Sequence, residues 1–525
     1  GWTLTDHADR LEERHRDRRL DTGVELALDL SYRHLPADHR RLLRLVALHP
    51  GPDLDAYAAA ALADTDPGIA RDHLADLRRD HLVQQAAPDR FTLHDLVRAF
   101  ATGRAGDEDR PPERRAALSR LFDYYVATAA QAMDGLYPAE ARHRPPACPP
   151  KTPTPALADA DAVRAWLDTE RTTLAAVAGH AAAHGWPAHA ASLSAILYRY
   201  LDGGYPADAL VIHGHALDAA RAAGDVAGQG HALLGLGTVD LHVGRNDQAA
   251  DRISQAVALF RRAGDPVGEA RALTTLGIAA SRQGRHEQAA AHHQEALELF
   301  RRADDAVGEA RALTSLGLVE TRLGRYEQAI DHQRRALTLS RRLGNGTGEA
   351  GALTSLAYVE ERLGRYDEAL DHHTQAGELF RRLGNRSAQA HVLDSLGVVH
   401  ARLGAHEEAA EHHRRALATF ADIGDRGGEA TALNGLGEAA QLAGRADEAR
   451  ARHAAALAAA REAGSRPLQA RAYAGLGRAH QDLGDRTAAR EAYGRAVELY
   501  ESLGFPDAQE VRARLAAVDG SAARR

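Results

Sequence analysis

The chain has 525 residues with 65 Lys+Arg against 73 Asp+Glu, a formal net charge of −8. This balance excludes a generally basic nucleic-acid binder and an acidic disordered tail. The single cysteine, Cys148, excludes an intrachain disulfide framework and a cysteine-based zinc site. No apolar run reaches the ~18 residues of a membrane span, and mean hydropathy is −0.40. Lys151 is the only lysine and sits in Pro-Pro-Lys-Thr-Pro. That excludes a phosphate-binding loop, whose lysine follows glycine, and leaves a lysine Schiff base one poor candidate. Residue 1 is Gly and no charged-then-apolar signal follows it, so a cytoplasmic protein is expected.

Residues 1–22 read as the end of a preceding helical module. In 23–105, Leu26, Leu30, Leu35, Leu42, Leu43, Val46 and Leu48 predict helices, and Ala56–Leu62 and Ile69–Leu82 predict two more. Leu82-Val83-Gln84, Pro88-Asp89 and Arg90-Phe91-Thr92-Leu93 then predict a short hairpin. Helices followed by a small hairpin make a winged helix, which ends in Leu93-His94-Asp95. Residues 23–100 carry 9 Arg against 12 Asp+Glu. Direct nucleic-acid binding needs a positive surplus and is not expected. Residues 106–186 read as a helical and Pro-rich linker region, with Pro145, Pro146, Pro149, Pro150, Pro153 and Pro155 close together.

Residues 187–505 are a repeat array. Leu-Gly recurs every 40 residues at 236, 276, 316, 396, 436 and 476, with Leu356-Ala357 in the one gap. Two alanine columns keep the same register, from Ala249 to Ala489 and from Ala256 to Ala496. Each unit reads as two helices. Ala310, Leu313, Leu316, Val319 and Leu323 form one apolar stripe, Gly324 stops that helix, and Ala329, Ile330, Ala336 and Leu337 form the stripe of the second. One pair cannot bury its own stripe, so pairs must stack. A degenerate unit (Ile196-Leu197, Gly204, Ala209, Ala216, Gly224) precedes the seven regular ones, and 506–525 reads as a capping helix and tail. The predicted fold class is all-α, with one small β-hairpin in the winged helix and an α-α superhelix of about eight 40-residue units.

The spacing of Leu-Gly and the two alanines resembles the tetratricopeptide repeat, in the long-unit subclass of kinesin light chains. The winged helix with His-Asp at its hairpin exit, followed by helical repeats, resembles the C-terminal half of a signal-transduction ATPase of the NB-ARC (STAND) type. Gly1-Trp2-Thr3-Leu4 to Leu11, Leu121-Phe122-Asp123-Tyr124-Tyr125, Ala165-Trp166-Leu167-Asp168 with Glu170-Arg171, and Tyr200-Leu201 resemble actinobacterial AfsR-like (SARP-type) transcriptional regulators. In that family a DNA-binding module and an ADP/ATP-binding domain come first. Neither is in this sequence, so no cofactor is expected in the chain itself. Leu93-His94-Asp95 matches the family's Met-His-Asp motif with Leu for Met. The resemblance implies that His94 contacts the β-phosphate of ADP when the nucleotide domain is present.

Gly346-Thr347-Gly348-Glu349-Ala350-Gly351 fits a dinucleotide fingerprint, but it follows a helix and coincides with an inter-repeat loop, so it is set aside. His292, His332, His372 and His412 share one repeat position, and His293, His373, His413 and His453 share the next. Columns one helix-packing distance apart, ~10 Å, cannot share a metal that needs ligands at ~2 Å. The second column falls where an aromatic usually packs and is expected in the core. No metal site and no catalytic grouping is predicted.

The expected binding surface is the groove lined by the first helix of each unit. Its inward positions hold Arg271, Thr274, Arg282, Arg311, Thr314, Arg322, Thr354, Tyr358, Arg362, Asp394, Arg402 and Asn434. Arg282, Arg322, Arg362 and Arg402 repeat at one position. Such a ladder suits an acidic or C-terminal peptide through bidentate carboxylate pairing. The competing reading pairs these arginines within the array, to Glu320, Glu360, Glu361 or neighbouring acids, as a solvated face. The expectation is a non-enzymatic sensor arm of a STAND-type transcriptional regulator. It would bind a protein, peptide or small effector, an acidic one included, and bias a nucleotide switch outside this sequence. No membrane partner and no direct nucleic-acid partner is expected, and self-association is left open. A free-standing tetratricopeptide adaptor and the sensor of a bacterial NLR-like defence protein are the alternatives.

Overall fold

The computed structural model describes residues 22–147, 149–503, 505 and 507–520. The helix expected before residue 22 and the tail after 520 lie outside these residues. Among the described residues there are 24 α-helices and one two-stranded sheet. The chain separates after Arg285 into two compact units, so the array predicted as one block over 187–505 is divided between them.

The first unit opens with α1 (Thr22–His34), α2 (Ala37–Ala47), α3 (Ala56–Ala63) and α4 (Pro67–Arg79). The predicted hairpin follows as β1 (Gln84–Ala87) and β2 (Arg90–Thr92), antiparallel with Gln85 opposite Phe91. Asp89 takes the left-handed turn conformation at φ 54. Leu54 bridges Phe91 from the far side, which pins the wing to the loop before α3. Helix α5 (Asp95–Glu108) completes the winged helix. Arg44 of α2 ties it together, donating to both Asp109 carboxylate oxygens at 2.7 and 2.8 Å and to Glu108 at 2.7 Å.

The segment that its prolines marked as a linker is part of the core. Helices α6 (Pro111–Leu136) and α7 (Ala160–Ala183) bring Leu121, Phe122, Tyr124, Tyr125, Leu167 and Leu174 into one continuous apolar cluster. That cluster also holds Leu43, Leu54 and Phe91 of the winged helix. Ala147, within the Pro-rich stretch, and Leu157, just after it, pack against it. The apolar content of the two flanking helices outweighs the local stiffness of proline. Helices α8 (Pro187–Leu201) and α9 (Pro206–Ala223) extend the same cluster through Leu193, Ile196, Leu197 and Ile212. Helices α10 (Val226–His242), α11 (Asn246–Ala263) and α12 (Pro266–Arg282) complete the unit.

Charge is buried in this core as well. Glu170 of α7 is 1% exposed and pairs with Arg90 of β2, which also holds Asp53. Burial pushes the Glu170 carboxyl up to about 7 against the pull of Arg90. The pair locks the wing to α7.

The second unit begins with α13 (His286–Arg302) and continues as helix pairs: α14 (Ala306–Arg322) with α15 (Tyr326–Arg342), α16 (Gly346–Arg362) with α17 (Tyr366–Arg382), and α18 (Arg386–Arg402) with α19 (His406–Ile423). Then come α20 (Arg426–Leu442) with α21 (Ala446–Glu462), α22 (Arg466–Asp482) with α23 (Arg486–Leu503), and the final α24 (Asp507–Gly520). Ala329, Ala336, Ala369, Ala376, Ala409 and Ala416 are fully buried, so the two helices of a pair approach closely through the alanine columns. Between pairs the chain turns through a left-handed residue, Gly344 at φ 61. Asp304, the one non-glycine in that series, keeps the conformation at φ 52, which Asp tolerates better than most residues. An Asp or Asn after the turn caps the next helix: Asp305, Asn345, Asn385 and Asp425 accept from the backbone N–H three residues on at 2.9–3.1 Å. The Gly346–Gly351 fingerprint is simply the start of α16, behind helix α15 and not a strand.

Candidate partner-binding groove

In the second unit, first helices lie against first helices: α14 on α16, α18 on α20, and α20 on α22. Arg322, Arg362 and Arg402 sit in the last turn of α14, α16 and α18 and are exposed. A cation there is favoured by the carbonyl end of the helix. A hydrogen bond with Tyr326 raises the Arg362 pKa. Histidines of the second helices bond the three acids that the competing reading named. His332 pairs with Glu320, His372 with Glu360 and His373 with Glu361, each at 2.7 Å. Tyr358, 39% exposed, lies one turn before Arg362.

Other predicted groove residues are placed differently. Asp394 and Asn434 are buried, and each holds a histidine of the second column: His413 Nδ1 at 2.7 Å and His453 Nδ1 at 3.1 Å. Their positions look inward by register, but the imidazole nineteen residues on draws the short side chain into the pair. Thr314 and Thr354 are half-buried and donate to the carbonyls of Ala310 and Ala350 at 3.0 and 2.9 Å. Arg311 lies 5.9 Å from the Phe300 ring centre. In the first unit Thr274 is buried and donates to Ala270. Arg271 stands 5.1 Å over the Tyr198 ring, and Arg282 donates to the Leu241 carbonyl. His94 is exposed at the head of α5, where its Nδ1 accepts from the Leu96 N–H at 3.3 Å.

The second histidine column is core, as its register predicted. His293, His373, His413 and His453 are at most 1% exposed, and Gln333 fills the same position in the α14–α15 pair. Glycines make the room. A Cβ at Gly397 or Gly435 would strike the His413 ring, and one at Gly437 or Gly475 the His453 ring. Among the described residues no group of three or more His, Cys, Asp or Glu could hold a metal ion.

Burial pulls the His453 imidazole down to about 4 from its usual 6.5. The folded value lies below the unfolded one, so this histidine's stabilising contribution is present above pH 6.5. It is lost as pH falls towards 4. His453→Gln, which copies Gln333, should remove about 1.4 kcal/mol per pH unit from the acid sensitivity of unfolding in that window. Urea denaturation at pH 6.5 and pH 5 measures it. An unchanged difference between the two pH values would mean that His453 already carries its proton in the fold.

At the C-terminal end of the second unit the helices line a half-open cavity of about 540 Å³. Arg402, Glu438, Arg471, Arg478, Tyr493 and Tyr500 line it, and Asp507, Glu510, Val511 and Arg514 of α24 close one side. Arg471 grips Glu438 through two bonds of 2.7 and 2.8 Å. Burial opposes the Glu438 charge, but Arg471 outweighs it and holds the carboxyl down at about 2. Burial pushes the Tyr500 hydroxyl up to about 12. Arg402 alone among these came out of the sequence reading. Arg471 stands in register with Arg271 and Arg311, and Arg478 in register with Tyr358, so a signal for both was there.

Residues 268–342, 348–422 and 428–502 match the tetratricopeptide repeat family. The repeats are tetratricopeptide repeats. The tetratricopeptide repeat fold is typically a protein-interaction module without catalysis. Regulatory protein AfsR of Streptomyces griseus is 34% identical over 312 residues, covering 50% of this chain and 31% of the relative. AfsR of Streptomyces coelicolor is 32% identical over 277 residues, covering 49% and 27%. The chain is therefore AfsR-like over half its length and spans about a third or less of these relatives. A signal transduction ATPase with numerous domains (STAND) and a tetratricopeptide repeat sensor, from Pyrococcus horikoshii, has the same fold, with a TM-score of 0.60 at 14% identity over 95% of this chain and 67% of that one. No helix among the described residues is long and apolar enough to cross a membrane.

Proposed function

We propose that the chain is the capture arm of an AfsR-type regulator. It works by binding and not by catalysis. Its tetratricopeptide repeats take a protein, peptide or small effector on the face formed by the first helices. The bound state biases a nucleotide switch carried by the regulator's nucleotide-binding domain. The winged helix and the 106–186 segment transmit that bias, and their shared core and the Arg90–Glu170 pair support a rigid transmission element. The observation that carries the reading is the exposed arginine at one place, Arg322, Arg362 and Arg402, in the last turn of successive first helices. Identity to AfsR over half the chain supports the regulatory context.

His94 supports the nucleotide link in one respect. With Nδ1 accepting from Leu96, the neutral ring carries its proton on Nε2, which suits a β-phosphate. A single exposed imidazole does not make a nucleotide site. The contact would complete one built by the nucleotide-binding domain.

Arg322→Glu with Arg362→Glu tests the capture face. Each charge-assisted contact is worth roughly 1.5–3 kcal/mol, so the pair should weaken capture of a cytosolic partner by about a hundredfold or more. Helicity by circular dichroism should not change, Arg→Gln at both sites should weaken binding less, and added salt should weaken the wild type. Equal recovery of the same partners by wild type and double variant would remove the arginines from the binding face.

A further inference from the structure

The joint between α7 and α8 carries a histidine pair that neither the core nor the capture face uses. His180 lies in the last turn of α7, and His184 follows the end of that helix with three alanines between them. Side chains four residues apart share one helix face. The two rings are stacked, with centroids 4.1 Å apart and planes 20° apart. His184 Nδ1 lies 3.0 Å from the His180 carbonyl oxygen. The neutral His184 ring therefore donates from Nδ1 and keeps the lone pair of Nε2 free. Imidazoles that ligate metals are held by bonds of this kind from their other nitrogen. His184 is exposed and His180 half-buried, and among the described residues no hydrogen bond occupies the His180 ring. The free carbonyls at the end of a helix favour a cation. Arg115 at this helix end is engaged by the Gly185 carbonyl at 2.9 Å and by the face of Trp186 at 4.3 Å. The pairs His39–His73 and His400–His412 are also in ring contact, but each joins two helices, and His39 Nε2 is bonded to Asp76. His180 and His184 are held by a single backbone.

We propose that His180 and His184 bind a divalent transition-metal ion, Zn²⁺ or Cu²⁺, through one ring nitrogen each, with water completing the coordination. Two nitrogens at about 2.1 Å from one ion lie roughly 3.4 Å apart. A small rotation of rings stacked at 4.1 Å provides that spacing. Imidazole suits Zn²⁺ and Cu²⁺, whereas Mg²⁺ and Ca²⁺ take oxygen ligands. Two histidines four residues apart on one helix supply a paired ligand set in helical zinc sites. With two protein ligands the site keeps open positions and is weaker than a closed four-ligand centre. The ion would tie His184, the residue before left-handed Gly185 at φ 92, back to α7 and so steady the turn into α8. The proposal concerns the first unit and does not depend on the capture reading.

The experiment is a fluorescence titration of the full chain with Cu²⁺ above pH 7, where imidazole with its usual pKa of about 6.5 is mostly neutral. Trp186 is the reporter, because its ring lies 6.3 Å from the His180 ring and bound Cu²⁺ quenches a nearby indole. Quenching should saturate, reverse on adding a chelator and be absent with Mg²⁺. Trp186→Phe, which keeps an aromatic ring against Phe122, should remove most of it. His184→Gln changes an exposed side chain. It should weaken Cu²⁺ binding at least tenfold with helicity unchanged, and His180→Gln should do the same. Calorimetry with Zn²⁺ should show one site fewer in both variants than in the wild type. No saturable quenching at submillimolar Cu²⁺ would overturn the proposal. So would unchanged Cu²⁺ binding in either histidine variant, or quenching that survives Trp186→Phe in full.

Discussion

Ala336→Glu is expected to unfold the middle of the second unit while the winged helix keeps its structure. Ala336 is fully buried where α15 meets its partner helix, as are Ala376 and Ala416 at the same position of later pairs. A carboxylate there would be buried without a cation, which places the substitution in the severe class, above about 4 kcal/mol. Repeat arrays are held by neighbour interfaces, so the damage should spread first to α14, α16 and α17. Native-state hydrogen exchange reads this directly. Protection should fall across residues 306–382 before it falls in α2, α3 and α6. Simultaneous loss throughout the chain would show one cooperative body and contradict an array built from local contacts.

Arg90→Met should be nearly as costly, by another route. It leaves Glu170, 1% exposed, with no guanidinium beside it. Breaking a buried pair from one side typically costs about 3–5 kcal/mol, whereas replacing both partners by apolar residues is often close to neutral. The double change Arg90→Met with Glu170→Leu should therefore recover much of the loss. The deficit of the single variant should also shrink in acid. The folded Glu170 carboxyl lies above its ordinary 4.5, so the folded state gains relative to the unfolded state as pH falls from about 7 towards 4.5. Denaturant unfolding of the first unit, followed by tryptophan fluorescence, tests all three. A single variant within 1 kcal/mol of wild type would mean that the Arg90–Glu170 pair does not hold the wing to α7.

What the sequence made legible was whatever repeats. Leu-Gly and the alanine columns recur every 40 residues, so helix pairs, turn glycines and the buried histidine column could be read from position alone. The winged helix was legible from the order of its elements, and Phe91 pairs as the hairpin required. What occurs once was harder to read. The proline-rich stretch suggested a linker, but α6 and α7 on either side bury Phe122, Tyr124, Tyr125 and Leu167, and tertiary packing decided the outcome. Asp394 and Asn434 occupy groove positions by register, yet each turns to a buried histidine because a polar ring in the core must be hydrogen-bonded. The C-terminal cavity depends on α24, a non-repeating helix whose docking no periodicity announces. Arg471 and Arg478 were nonetheless in register with residues already singled out, and only their shared space with Arg402 required coordinates.

The capture reading stands on where a bound partner touches the array, and hydrogen exchange on the partner-bound full chain measures that most directly. The account predicts slowed exchange concentrated in the first helices, α14, α16 and α18, strongest around Arg322, Arg362 and Arg402, and lost in the double charge reversal. Protection confined to the second helices α15, α17 and α19, or to the winged helix alone, would contradict it.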